Sequence, residues 1–162
     1  MTQRVVTGEE LKQTTLGREL DDEQCRQLAA ICGRQTVVNG KPLFKEGDPS
    51  GGTLFVIISG RFAVSRETDR GFSDTLTLLD PGDLAGESGF IDGSRHSATL
   101  RAVGDAEVAT LSREQLESML VEQPVLVYQV MRAVVRAIRQ IIRRMNQQHS
   151  ELLGYINTIG RY

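Results

Sequence analysis

The chain has 162 residues, 40% hydrophobic and 25% charged, with 19 Lys+Arg against 21 Asp+Glu. That balance excludes a disordered chain, and a chain of this size buries roughly two thirds of its unfolded surface without a metal or disulfide staple. There is no run of about 18 apolar residues, and the amino end, MTQRVVTGEELKQ, has no apolar signal core, so a cytoplasmic protein without membrane contact is expected.

The small net charge hides an asymmetry: residues 1–123 carry 13 basic and 20 acidic side chains, and residues 124–162 carry 6 and 1. Glycine divides the chain similarly, with 12 of the 16 between Gly33 and Gly104. A turn-rich middle is therefore followed by a turn-free basic end. Three segments are expected: a helical lead over 1–35, a β domain over 36–112, and a short helix plus a long helix over 113–162.

Residues 20–32, LDDEQCRQLAAIC, open with Asp21-x-x-Gln24, a capping box, and place Leu28, Ile31 and Cys32 on one side of a helix that ends near Gly33. Cys25 and Cys32, seven apart on that helix, lie about 10 Å from each other along its axis, too far for a disulfide. Without a CxxC pair or a neighbouring histidine they read as packed thiols, and no metal site is expected.

From Thr36 to Ser112 short apolar runs are separated by turn signals: GDPSGG from 47, SG at 59, RETDRG from 66, DPGD from 80, DGS from 92 and VGDA from 103. This predicts strands at hairpin spacing. Leu76 and Leu78 alternate with Thr75 and Thr77, and Ala98, Leu100 and Ala102 with Thr99 and Arg101, so these strands are expected to bury one face. LFVIIS at 54–59 is expected to be buried on both. A sandwich or small barrel follows.

Ser112-x-x-Gln115 is a second capping box and opens a short helix carrying Leu116, Met119 and Leu120. From Pro124 a four, three alternation runs through Val127, Met131, Val134, Ile138, Ile141, Met145, Gln148, Leu152, Tyr155 and Ile159, nine of the ten apolar. Thirty such residues span about 45 Å, more than a small β domain covers. A second row, Leu126, Val130, Ala133 and Ala137, suits packing on the chain's own sheet. The heptad row, Val127, Met131, Val134, Ile138, Ile141 and Met145 above all, then predicts the seam of a parallel homodimer, the alternative being a helix wholly buried against its own domain.

The stretch LLDPGDLAGESGFIDGSRHSATLRA (78–102), with FKEGDPSGGTLFVIISGRFAVS (44–65), resembles the cyclic nucleotide-binding domain of the catabolite-activator (CRP/FNR) superfamily. The order is the same: leading helices, an EGD turn, a later Gly60, a GD then GE element, an SA strand start and a long closing helix. The resemblance implies a mainly β fold with flanking helices, a double-stranded β-helix (β-roll or jelly roll) followed by a dimerisation helix. It also implies a non-enzymatic sensor without a cofactor, whose possible ligand is cAMP or cGMP, a related small anion being the alternative.

By that resemblance Gly86, Ser88 and Gly89 face the cyclic phosphate with backbone NH groups. Glu87 accepts from the ribose hydroxyl, as an acceptor-only carboxylate can. The family sets an arginine directly before a Ser/Thr-Ala pair to neutralise the phosphate. Here Ser97 and Ala98 hold that register, but His96 precedes them and Arg95 stands one place earlier. Neighbouring side chains of an extended segment point to opposite faces, so Arg95 meets the phosphate only if the loop shifts by one residue.

Arg132, Arg136, Arg139 and Arg143 form a stripe on the long helix, readable as the solvated face of a coiled coil or as a contact for phosphates or an acidic partner. The family's transcription factors continue into a helix-turn-helix. This chain closes at Gly160-Arg161-Tyr162, so direct DNA reading is not expected. His96 and His149 lie in different elements and do not suit a cupin metal site, and a haem held by His96 is a remote option. Two readings stay open: a nucleotide-responsive regulator acting on a partner protein, and a ligand-independent dimer or scaffold.

Overall fold

The computed structural model describes residues 5–159. The stretches Met1–Arg4 and Gly160–Tyr162, to which the expectations about the two chain ends refer, lie outside them. In chain order the elements are α1 (Gly8–Lys12), a 3-10 turn (Gly17–Glu19), α2 (Asp22–Ile31), β1 (Gly33–Val37), β2 (Pro42–Phe44), β3 (Thr53–Glu67), β4 (Ser73–Leu79), β5 (Leu84–Ala85), α3 (Glu87–Asp92), β6 (Thr99–Ser112), α4 (Arg113–Glu117) and α5 (Pro124–Ile159).

Capping boxes fix three helix starts: Thr7 with Glu10 for α1, Asp21 with Gln24 for α2, and Ser112 with Gln115 for α4. In each the cap side chain accepts the third backbone NH and the third side chain accepts the NH of the cap. The second and third are the boxes legible in the sequence; the first is not among them.

All strand pairs are antiparallel, in the order β1-β6-β3-β4, with β2 on β6 and β5 on β3. The turn signals at Ser59-Gly60 and Val103-Gly104 do not end strands, as the sequence reading expected. They face each other inside β3 and β6, where Ser59 pairs with Glu107 and Arg61 with Val103, and the register slips on either side of Ser59. Gly60 has φ +79°. Its left-handed backbone supplies the bulge at which the two long strands turn a corner as continuous ribbons.

A second bulge corrects the expected alternation in β4. Val64 pairs with Thr77 and Ser65 with Thr75, so Leu76 has no partner and the faces exchange beyond it. Thr77 and Leu79 are buried at 3% and 2% exposure, whereas Leu78 is 39% exposed. In β6 the expected pattern holds: Leu100 and Ala102 are buried and Arg101 is exposed.

β3 is buried on both faces at 54–57 because it separates two cores. Leu54 and Val56, with Ala109 and Leu111 of β6, join Leu11, Leu28, Leu126 and Val130 in a layer under the helices. Phe55, Ile57 and Phe62, with Leu100 and Val108, fill the interior of the roll. Arg34 of β1 ties the lead helix to the sheet. Its guanidinium, 5% exposed, pairs with Glu10 and, at 2.6 Å, with Glu107.

The long helix is present over Pro124–Ile159, and Gly154 does not interrupt it. Part of the stripe expected as a dimer seam is taken up by the chain's own cores. Val127 and Val134 are buried in the chain's own helical layer, Met131 and Ile138 pack partly against that layer, and Ile141 packs against the interior cluster. The exposed apolar row is instead Tyr128, Val135, Ile142 and Ile156, flanked by Leu152 and Ile159. A four, three alternation fits two adjacent stripes of a helix with 3.6 residues per turn, and the domain took the stripe nearer its own core.

Gly60 does not tolerate a side chain: a Cβ there would stand 2.6 Å from both Ala106 Cβ and Asp105 O. Gly60→Ala is expected to cost roughly 2–4 kcal/mol in chemical denaturation, from strain at positive φ and overpacking together. A loss below about 0.5 kcal/mol would contradict this account of the corner.

Candidate functional site

The inner face of the roll leaves a cavity of about 250 Å³ between β3, β4, β6 and α5. Its wall includes the Gly86–Gly89 turn and the start of β6, and Ile141 and Met145 of α5 cover it. Arg144 holds that part of α5 in place. Its Nη1 donates to Asp83 Oδ2 at 3.0 Å and to Leu78 O at 2.9 Å.

Gly86 caps α3 with φ +75°, and a Cβ on it would stand 2.8 Å from Thr53 O and 3.0 Å from the Phe55 ring. Gly89 lies so close to Ser50 that a Cβ would meet Ser50 Cβ at 2.1 Å. Both glycines let the turn press against the 50–55 segment and bring its backbone to the cavity wall. Glu87 follows in the first turn of α3 and lines the cavity half-buried. Burial pushes its carboxyl pKa up, against a hydrogen bond from its own backbone.

Of the residues that the sequence singled out, Gly86, Glu87, Ser88, Gly89, His96, Ser97 and Ala98 all line this cavity. Arg95 does not. It is exposed, and its Nη1 donates to Gly47 O at 2.9 Å on the outside of the loop. The one-residue register shift that would turn it inward is absent, because the backbone of His96 is locked. Its NH donates to Asp48 O at 3.0 Å, and its carbonyl accepts from Gly47 N at 2.8 Å.

The His96 side chain is 8% exposed and stacks on Phe44, with centroids 3.7 Å apart and planes at 8°. Burial lowers its pKa, outweighing the opposite pull of Asp48. The ring is therefore favoured as neutral imidazole, a hydrogen-bonding group without a fixed charge. Of the sequence-predicted seam, Ile141 and Met145 also line the cavity, and the other four seam residues do not.

Of the lining residues outside the expected site, three carry polar or aromatic chemistry that bears on a ligand. Phe44 gives His96 its stacking partner. Thr77 carries a buried Oγ1 with no hydrogen-bond partner. Arg66 brings a guanidinium from β3. Phe44 opens the FKEGDPSGG stretch and Arg66 the RETDRG signal, but neither pattern says that its first side chain meets the cavity; cross-strand register decides that. Among the described residues no group of three His, Cys, Asp or Glu could hold a metal, and no helix is long and apolar enough to cross a membrane.

Residues 34–123 match the family described as the cyclic nucleotide-binding domain. The chain belongs to that family. An N-terminal domain of a transcriptional regulator from Streptomyces coelicolor A3(2) is similar at 31% identity and TM-score 0.71, over 81% of this chain and 93% of that one. A cyclic nucleotide-binding domain from Methylobacillus flagellatus shares the fold at TM-score 0.81 and 24% identity, over 87% and 81%.

The cyclic AMP receptor protein of Thermus thermophilus is 30% identical over 80% of this chain and 60% of its own length. An uncharacterized NTE family protein of Mycobacterium tuberculosis is 28% identical over 91% of this chain and 24% of its own length. This domain thus spans between a quarter and three fifths of these two relatives. The β-roll with its long closing helix is the architecture that the resemblance implied.

Glu87 gives the site a measurable signature. Its folded pKa lies above the ordinary value of 4.5, so its contribution to stability is complete below that value and is lost as pH rises through the raised one. Glu87→Gln is therefore expected to raise the Tm at pH 7 and to leave it nearly unchanged at pH 4. An unchanged or lowered Tm at pH 7, read by calorimetry without ligand, would contradict the burial of this carboxylate.

Proposed function

We propose that this chain is a non-enzymatic sensory domain that binds a cyclic nucleotide, cAMP or cGMP, in the cavity of its roll. The observation that carries the reading is the convergence of the Gly86–Gly89 turn, Glu87 and the Ser97-Ala98 strand start on one cavity beneath α5. Glu87 accepts from the ribose hydroxyls, and the backbone of the turn lies along the cyclic phosphate. The Thermus relative's printed name, cyclic AMP receptor protein, favours the same ligand class.

In this reading the domain is a parallel homodimer through α5. The seam is the exposed row Tyr128, Val135, Ile142 and Ile156 with Leu152 and Ile159, and Met131, Ile138 and Met145 lie at its border. Residues 146–159 are exposed and extend about 20 Å beyond Met145; Asn146, Gln148, His149 and Leu152 border an open groove against β4, and a partner would cover the apolar side chains that the domain leaves exposed. Ligand beneath Ile141 and Met145 then bears on the same helix that carries the seam, and the dimer presents the outcome to a partner protein.

A second reading, a scaffold without ligand, is favoured by one observation: a neutral, stacked His96 stands where the family has its arginine, while Arg95 faces outward.

Thermal melts with cAMP, cGMP and linear AMP separate the two. A cyclic nucleotide at about 100 times its Kd adds roughly 2.7 kcal/mol, which raises the Tm by about 5–10 °C at this size. No shift with either cyclic nucleotide would leave the scaffold. For the seam, Val135→Glu with Ile142→Glu is expected to give monomers in light scattering without loss of the fold. A persistent dimer mass would reject this face.

A further inference from the structure

We propose that Arg66 supplies the cationic contact to the phosphate of the bound cyclic nucleotide, reaching it from β3 rather than from the residue before Ser97-Ala98. The inference rests on the reading that the cavity takes a cyclic nucleotide, and it names the group that neutralises the ligand there.

The first support is position. Val64 pairs with Leu100 and Ser65 with Thr99 in an unbroken antiparallel register. Arg66, one residue further, is therefore level with Ala98. Side chains two apart on a strand share a face, and Val64 and Arg66 both line the cavity. The guanidinium thus enters opposite the Ser97-Ala98 strand start, at the end of the cavity where the family sets its phosphate.

The second support is charge. The basic side chains along the cavity wall are Arg66 and His96. His96 lies flat on Phe44, buried and favoured as the neutral ring. Glu87 adds a carboxylate on the same wall, and an anion beside it calls for a permanent positive charge. Arg66 is the side chain on that wall that carries one at every pH of interest.

The third support is availability. Arg66 is held by one exposed ion pair, Nε to Glu46 Oε1 at 3.2 Å, and its side chain is 59% exposed. Among the described residues its two terminal nitrogens donate to nothing. Such a pair is weak. A phosphate can therefore engage the free Nη groups as a planar fork while Glu46 keeps its second partner, the backbone NH of Glu67 at 3.1 Å.

Titration calorimetry of the full chain with cAMP and cGMP tests the assignment. Arg66→Met is expected to weaken binding about tenfold or more, and Arg66→Lys to weaken it less. Glu46→Gln is expected to tighten binding about two- to fivefold, because the amide releases the guanidinium but still accepts from Glu67. Arg70→Met, an equal charge change at the exposed β3–β4 hairpin, is expected to leave affinity within twofold.

A wild-type chain that binds neither nucleotide would overturn the function and this inference together. Wild-type binding with an Arg66→Met affinity within twofold, or a loss on Arg95→Met in its place, would overturn Arg66 alone. Should Arg66→Met prove unstable in an apo melt, the outcome rests on Glu46→Gln: unchanged or weaker binding overturns the proposal, and tighter binding supports it.

Discussion

The paired ribbons β3 and β6 bend together at Gly60, and this corner sets where everything else can lie. Before the bend their alternate side chains enter two different cores, Leu54 and Val56 under the helices and Phe55 and Ile57 inside the roll. After the bend β3 reaches Val64 and Arg66, and β6 begins at Thr99, so both strands wall the same cavity. A side chain at residue 60 would collide with Asp105 and Ala106 and straighten the ribbon. The cavity is therefore a consequence of backbone geometry at a site roughly half a strand away.

The long helix inherits its division of labour from the same two cores. Leu126, Val130, Ala133, Val134 and Ala137 complete the helical layer, and Ile141 and Met145 cross to the mouth of the roll. Two ion pairs pin this course, Arg136 to Glu19 and Arg144 to Asp83. Because Ile141 covers the cavity and Ile142 faces outward, consecutive residues serve the proposed ligand and the proposed seam. A rotation of a few tens of degrees at that level alters both surfaces, since each residue of a helix accounts for about 100°.

Motif and periodicity made the broad plan legible in the sequence, and cross-strand register accounts for what was not. Asp21-x-x-Gln24 and Ser112-x-x-Gln115 are local hydrogen-bonding devices, so their residues alone placed two helix starts. The Gly86-Glu87 turn was legible through the family resemblance, and the structure gives the steric reason for its glycine, the closeness of Thr53 O and the Phe55 ring. Ser59-Gly60 was misread because a left-handed glycine serves a hairpin turn and a bulge equally well; the choice depends on Asp105 and Ala106, distant in sequence. Thr77 and Leu78 were misassigned for the same cause, since the unpaired Leu76 in β4 exchanges the faces beyond it. The helix stripe was legible in existence but not in phase, because the pattern does not say which of two adjacent rows meets the chain's own sheet. Arg66 opens a stretch that reads as a turn, RETDRG, yet β3 runs on to Glu67, and its place on the cavity wall exists only once β3 is set against β6.

The polar groups left costly in this structure bear on whether the cavity is still in use. Glu87 is held in a setting that disfavours its charge, and Thr77 keeps a buried hydroxyl without a partner. Neither holds a fold element together among the described contacts. An unpartnered buried hydroxyl costs on the order of 1–3 kcal/mol, and replacing it by an apolar group of similar shape removes that cost. A domain serving only as a dimer scaffold would be more stable with Val at 77 and Gln at 87, and nothing in its packing would oppose either change. Glu87 and Thr77 both line the proposed cavity, whereas Arg34 Nε and Gln129 Oε1, likewise buried without a partner, lie away from it; in the proposed reading a bound ligand offsets the cost at Glu87. In the proposed reading, the exchange of a cation before Ser97 for a stacked His96 is a relocation of the charge to Arg66 on β3.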